Sequence, residues 1–370
     1  MKHVLDFNLE ELKLEMLTLG EKKFRAEQIL DALFLGKEID KANLGKELIE
    51  LLKTNYLINS TKIIKTQTDP IDHTRKFLFQ FADGEVAEGV LMSYKYGNTF
   101  CLSTQVGCNM ACSFCASTIG GKKRDITTGE MLEMIILANC EAKTMPIVGV
   151  DVSSIHEDEE DDGDPVGVAP KGNPQRFIKN LVLMGSGEPL DNYHNVVKFI
   201  RNLMASKLNF GARSISLSTC GLVPQIYALA EENLPITLSI SLHATTDENR
   251  KKIMPIAHKY ELVELIMSLK NYVKKTGRRV AVEYTLVKGV NDTDGDAKRL
   301  KALLGDIVCF VNIITLNDVG RGVNGTTRQE AYHFVEKLKK AGVNATLRRT
   351  LGQNIDAACG QLRNKHTKES

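Results

Sequence analysis

The sequence lacks any run of about 18 apolar residues, so no membrane-spanning helix is expected. Met1 to Glu10 carries acids and has none of the apolar stretch of a secretory signal, which points to a cytosolic chain with no membrane partner. Cysteine is scarce as well. Eight in 370 residues are too few for a disulfide scaffold and read as free thiols, metal ligands or redox groups. Net charge is nearly absent at +2, but it is unevenly spread. Glu141 to Arg176 holds nine acids and three bases, which leaves a net +8 on the rest of the chain. That excess suits a polyanion such as RNA, and equally an ordinary solvated basic surface. No internal repeat is found. The 43% hydrophobic content suffices for one large core and a small additional domain.

Apolar spacing divides the chain. Residues 1–60 carry Leu9, Leu12, Leu14, Met16 and Leu17, then Phe24, Ile29, Leu30, Leu33 and Phe34, at helical intervals around the Gly20 break; they predict a small helical accessory domain. Residues 61–98 predict a short β extension, with strands at Lys76–Phe81 and Glu88–Ser93 across the Asp83-Gly84 turn. Over 99–350 strands alternate with helices. The strands fall at Thr99–Ser103, Asn180–Met184, Ser214–Thr219, Ile236–Leu242, Val280–Leu286 and Val311–Ile314, with a short last one at Ala345–Arg348. The helices fall at Gly129–Asn139, Asn192–Ala205, Val223–Glu232, Leu262–Lys275, Asp294–Leu304 and Arg328–Ala341. The fold class is therefore α/β, a partial (β/α)6 barrel whose active site lies at the carboxyl ends of its strands. Within the acidic insert at 141–176, the stretch Asp151–Pro174, with its run of acids and its Gly and Pro residues, predicts a mobile surface loop. Residues 351–370 form a C-terminal segment.

Cys108, Cys112 and Cys115 stand in a C-x3-C-x2-C spacing just after the first barrel strand. Three thiolates hold three irons of a [4Fe–4S] cubane and leave the fourth open to the amino and carboxylate groups of S-adenosylmethionine (SAM). A structural zinc ion needs four closed ligands, and no fourth Cys or His lies nearby. From about Thr99 to Arg349 the chain resembles the radical SAM superfamily. That resemblance implies SAM contacts at Gly187 and Glu188, in Gly185-Ser-Gly-Glu-Pro189, then at Ser218, at Ser241-Leu242-His243 and at Asn317, each at or after a strand end.

Three further motifs narrow the resemblance. Ile355-Asp-Ala-Ala-Cys-Gly-Gln-Leu362, Leu102-Ser-Thr-Gln-Val-Gly-Cys108 and the G-x-G-E-P segment are similar to the RlmN/Cfr family of RNA adenine methyltransferases. The likeness extends to Leu19-Gly-Glu-Lys-Lys-Phe-Arg-Ala-Glu-Gln-Ile-Leu30 in the helical part, and so covers nearly the whole chain. Adenine carbon 2 lies between two ring nitrogens and is too electron-poor to attack a SAM methyl group. The resemblance implies the family's solution, with two SAM molecules. Cys359 takes a methyl group by displacement. The reduced cluster then cleaves a second SAM to a 5′-deoxyadenosyl radical, which removes hydrogen from that S-methyl group. The resulting carbon radical adds to the ring and leaves a protein–RNA adduct. Cys101 attacks the sulfur of Cys359 to form a transient disulfide and release the product. Glu88, thirteen residues before Cys101, is the implied base for the carbon 2 proton.

The implied targets are adenine 2503 of 23S rRNA and adenine 37 of tRNA, and the implied reductant is a flavodoxin or ferredoxin acting on a monomer. Lys22, Lys23 and Arg25, and Lys122, Lys123 and Arg124, are candidate phosphate contacts. The target adenine must be unpaired or extruded. Three features depart from the family: Ser186 where Met is usual, Cys220 where Ser is common, and the acidic insert. The competing expectations are methylation of carbon 8 of the rRNA adenine, as in the Cfr branch, and a non-catalytic iron–sulfur protein that binds RNA or senses redox state. The second has no use for both Cys101 and Cys359.

Overall fold

Helical apolar spacing in the first sixty residues gives α1 (Leu9–Thr18), α2 (Phe24–Phe34) and α3 (Lys46–Asn55). The computed structural model describes residues 1–94, 96–145, 176–317 and 322–362, so residues 146–175 of the acidic insert lie outside the described residues. Asn8 starts α1 with a reciprocal cap: its Oδ1 accepts from Glu11 N, and Glu11 accepts from Asn8 N. The three helices turn Leu12 and Met16, Ile29 and Leu33, and Leu48 and Leu52 inward. A parallel pair, β1 (Lys2–His3) and β2 (Tyr56–Leu57), closes this unit. A buried carboxylate ties it to the rest. Glu133 accepts from Ser60 N and Thr61 N, and it lies 3.0 Å from His3 Nε2.

Ten strands form one sheet. β3 (Lys62–Thr68), β4 (Arg75–Gln80) and β5 (Val86–Tyr94) run antiparallel and join β6 (Gly97–Cys101). A small hairpin of β7 (Gln105–Val106) and β8 (Arg124–Asp125) then brackets the cysteine loop. The sheet continues in parallel through β9 (Ile178–Leu183), β10 (Ile215–Thr219), β11 (Thr237–Ser241), β12 (Val280–Leu286), β13 (Cys309–Thr315) and β14 (Ala345–Leu347). Its edges are β14 and β3, so the barrel is open. The helices of the repeat are α4 (Thr128–Ala142), α5 (Tyr193–Ala205), α6 (Val223–Glu231), α7 (Asp247–Ile253), α8 (Leu262–Thr276), α9 (Asp294–Leu304) and α10 (Arg328–Lys340).

The architecture is the α/β partial barrel expected, with six full parallel strands and the short β14 as a seventh. Besides the two-residue strands β1, β2, β7 and β8, two longer elements were not anticipated. β3 is an exposed edge strand, and α7 is a short charged helix after β11. The β extension is hydrogen-bonded through β5 and β6 into the barrel sheet itself. No helix among the described residues is long and apolar enough to cross a membrane.

Candidate active site

The cysteine loop closes on glycine. Gly107 sits at φ +78°, and a Cβ there would stand 1.9 Å from the carbonyl oxygen of Gly121, so only glycine lets the two limbs meet. Ala111 turns between the first two cysteines at φ +54°. Ser113 N donates to Ile253 O and seats the loop on the last residue of α7. Lys122, Lys123 and Arg124 brace it from outside. Lys122 Nζ lies 3.0 Å from Asp125 and 2.9 Å from Asp191, Lys123 pairs with Glu85, and Arg124 pairs with Asp83 and Glu130. These three cations, candidates for phosphate, are therefore engaged within the chain. Lys22 and Lys23 are exposed, and Arg25 is half-buried beside the Phe24 ring.

Cys108, Cys112 and Cys115 line one cavity of about 930 Å³ at the carboxyl ends of the strands. Burial pushes the Cys108 thiol up to about 12 and Cys112 higher still, and the cysteines oppose one another's ionisation. Three such groups ionise together only against a strong local cation. Iron supplies that charge, so the donor set fits a cluster held by three thiolates. Among the described residues no three His, Cys, Asp or Glu side chains converge as a single-ion site.

Gly187, Glu188, Ser218, Ser241, His243 and Asn317 line the same cavity. Gly187 has φ +103°, and a Cβ there would meet Gln105 Cβ at 2.6 Å. The buried Glu188 carboxylate accepts from Leu190 N and Cys220 N, and so fastens the loop after β9 to the end of β10. Burial raises its pKa. His243 holds a left-handed backbone at φ +53°; its Nδ1 accepts from Thr285 N at 2.9 Å, which leaves the ring proton on Nε2. Leu242 behaves differently: its side chain is fully buried in the core and does not line the cavity. Ser186 also lies off the wall, whereas Cys220 is on it.

The C-terminal segment carries Cys359 to this cavity. Gly360 O accepts from Ala116 N at 2.7 Å, Leu362 O accepts from Ser117 Oγ, and Cys359 O accepts from Asn317 Nδ2 at 3.1 Å. Cys359 is exposed and also lines a second pocket, of about 690 Å³, with Cys101. Cys101 lies at the end of β6 in a small apolar cluster with Val90, Ala357 and Leu362. Burial pushes its thiol up to about 12, and Cys359 adds to the effect. All eight cysteines are free thiols. Glu88 shares a face of β5 with Val90 and Met92, but it opens onto a neighbouring pocket with Lys65, Gln67, Asn354 and Asp356; Lys76 Nζ is 3.6 Å away.

Sequence reasoning missed Arg348 and Glu283. Arg348 lines both the cavity and the Cys101 pocket, and Cys359 is the strongest influence holding its guanidinium charged. Glu283, on β12, accepts from Ser239 Oγ and Asn312 Nδ2 and lies 3.4 Å from Arg348. The position of Arg348, just past a strand end, was the available signal.

The radical SAM superfamily model matches residues 102–301. A probable dual-specificity RNA methyltransferase RlmN from Clostridium beijerinckii is 45% identical over 99% of this chain and 96% of its own length. A protein of the same description from Clostridium acetobutylicum is 45% identical over all of this chain and 99% of its own. The crystal structure of a radical SAM methyltransferase from Sphaerobacter thermophilus superposes with a TM-score of 0.87 at 34% identity, covering 98% of this chain and 99% of that one. With three cysteines at one cavity and a fourth delivered to it by the C-terminal segment, the chain belongs to the RlmN family of radical SAM RNA methyltransferases.

Proposed function

We propose that the chain methylates carbon 2 of adenine in 23S rRNA and tRNA, with Cys359 carrying the methyl carbon and Cys101 releasing the product. The observation that supports this is the joint position of Cys359, which lines both the cavity of Cys108, Cys112 and Cys115 and the pocket of Cys101. Those three cysteines would hold the [4Fe–4S] cluster, whose chemistry when bound is one-electron reduction of SAM. Gly187, Ser218, Ser241, His243 and Asn317 would receive SAM beside it.

The two thiols differ as the two roles require. Cys359 is exposed and lines the cavity beside Arg348, so its sulfur is open to a methyl donor bound there. Cys101 is buried and stays protonated at neutral pH, so it does not compete for the methyl group. It acts after the adduct has formed: Cys101 loses its proton and attacks the Cys359 sulfur, and the bond from that sulfur to the methylene carbon breaks. Both electrons of that bond go to the carbon, which takes up a proton from solvent to complete the methyl group, so the two cysteines become a disulfide as the adenine is reduced to its methylated form. Glu88 would accept the carbon 2 proton; it stands one strand repeat from Val90 on the face that borders Cys101. A low-potential electron donor, flavodoxin or ferredoxin, and a cytosolic location follow from this reading.

The test is to purify Cys101→Ala and Cys359→Ala from cells. Cys101→Ala should carry RNA covalently, as a slow, nuclease-sensitive band on a denaturing gel, and Cys359→Ala should carry none. Absence of the band from Cys101→Ala, with cluster and SAM cleavage intact, would overturn the resolving role. Digested RNA from strains with and without the gene should differ in 2-methyladenosine; a difference in 8-methyladenosine would overturn the assignment of the target carbon.

A further inference from the structure

The stretch Asp247-Glu-Asn-Arg-Lys-Lys-Ile253 has the composition of a solvated helix, yet Arg250 is 0% exposed. Its Nε donates to Leu242 O at 3.2 Å. One terminal nitrogen, Nη2, donates to Cys220 O at 2.7 Å and reaches Ser241 O at 3.4 Å. The other, Nη1, is buried without a partner. Among the described residues no carboxylate forms an ion pair with it. An arginine does not shed its proton to escape burial, so a positive charge is held here against a desolvation penalty unless an anion answers it.

The surroundings identify that anion. Arg250 does not line the cavity itself; Cys112, Cys220, Ser241 and His243 stand in the wall in front of it. Of these, Cys112 and Cys220 act on its charge electrostatically, while His243 is kept neutral by burial. The cysteine loop rests on the same helix through Ser113 N and Ile253 O. Asp247, on the same helix, also bears on the guanidinium, but more weakly than Cys220 and Cys112, and its Oδ1 is taken by Leu262 N.

We propose that Arg250 is the buried counter-cation of the iron–sulfur site and eases the cluster's one-electron reduction. This rests on the reading that Cys108, Cys112 and Cys115 hold the cluster. Three thiolates on an oxidised cubane core sum to one negative charge, and the incoming electron makes two. A fixed positive charge behind Cys112 stabilises the more negative state by the larger amount, because a water-free setting screens it little. Arg250 touches neither substrate nor SAM. It is a positioning residue that acts through Cys112.

The experiment compares wild type, Arg250→Lys and Arg250→Gln after anaerobic reconstitution. Iron and sulfide are counted first, and wild type lacking about four irons per chain would refute the cluster reading itself. The cluster is then titrated with a low-potential viologen and dithionite, and its reduced form is counted by electron paramagnetic resonance. At a fixed potential, Arg250→Gln should lower the ratio of reduced to oxidised cluster about tenfold, a shift of about 59 mV for one electron. Arg250→Lys, which keeps the charge and loses the forked bonds, should stay within about threefold of wild type. If only the lysine variant retains the cluster, the charge is what holds the anionic site and the proposal stands. If Arg250→Gln titrates like wild type, or if it retains the cluster and Arg250→Lys does not, the proposal is overturned. Loss of the cluster from both variants would overturn it too, since the carbonyl bonds alone would then be what matters.

Discussion

His243 combines a strained backbone with a suppressed titration. Its left-handed φ is rare for a residue with a Cβ and is tolerated best by Gly, Asn and Asp. The residue earns its place by accepting Thr285 N and by holding its ring edge-on to Phe114, 4.9 Å between centroids. Burial, aided by Arg250, depresses its pKa from 6.5 to about 3. The unfolded chain therefore binds a proton near pH 6.5 that the folded chain refuses until about pH 3. Stability is complete above pH 6.5 and is lost as pH falls through that window. Between pH 7 and pH 5 the loss from this residue should be about 2 kcal/mol. His243→Asn keeps an acceptor and suits the backbone but cannot titrate. Urea unfolding at the two pH values should show wild type losing about 2 kcal/mol more than the variant between them, and equal losses would mean that His243 is solvated. Little of this was legible beforehand. The sequence placed His243 at a strand end, but the burial and the Thr285 contact come from a neighbouring strand.

Elements differ in how openly their sequences declare them. The buried parallel strands β9 to β13 are apolar stretches bounded by turns, and their positions fell within a residue or two of the expected ones. β3 escaped because Lys62-Ile-Ile-Lys-Thr-Gln-Thr68 is an edge strand with only Ile63 and Gln67 half-buried, so it shows no clean alternation. The cysteine loop was legible because its ligands are local in sequence. Arg348 with Glu283, and Arg250 with the carbonyls of Cys220 and Leu242, are pairings across elements that no local pattern announces. The segment that delivers Cys359 depends on another such pairing. Asp69, in the β3–β4 turn, is fully buried and accepts from Ile71 N, Asn354 N and Asn354 Nδ2, while Asp72 accepts from Gly352 N. Burial raises the Asp69 pKa, and these donors more than offset it, leaving the carboxyl below its ordinary value. Asp69→Ala removes the clamp without touching the cavity. RNA methylation should fall at least tenfold, while 5′-deoxyadenosine release from SAM continues in the uncoupled enzyme. Assaying both products on one sample decides it: a parallel fall in both would place the defect at the cluster instead.

At the scale of the molecule, charge and topology bear on the acidic insert. It leaves the end of α4 and returns at the start of β9, and connections of that kind lie at the amino ends of barrel strands. The cavity lies at the carboxyl ends. Six residues of β9 separate the two, roughly 20 Å at about 3.3 Å per residue. Both flanks have anchors of their own. Arg75 donates to Glu141 O and to Thr144 O at the end of α4, and Asn139 Oδ1 accepts from Phe177 N and Ile178 N at the start of β9. Replacing residues 151–174 by a short Gly/Ser linker should therefore leave folding, SAM cleavage and methylation within about twofold of wild type, since these anchors join residues that are all retained. It also removes eight acids and one base, which takes the chain from +2 to +9. RNA is a polyanion, so the shortened protein should bind it more tightly at low ionic strength and converge with wild type as salt rises and screens the added difference. Binding titrations at several salt concentrations, with methylation measured on the same preparations, separate the outcomes. An unchanged affinity at low salt would mean that the insert's charge never reaches the RNA-binding face. Loss of methylation in a folded, cluster-loaded variant would give the insert a role in catalysis that its attachment at the amino ends of the strands argues against.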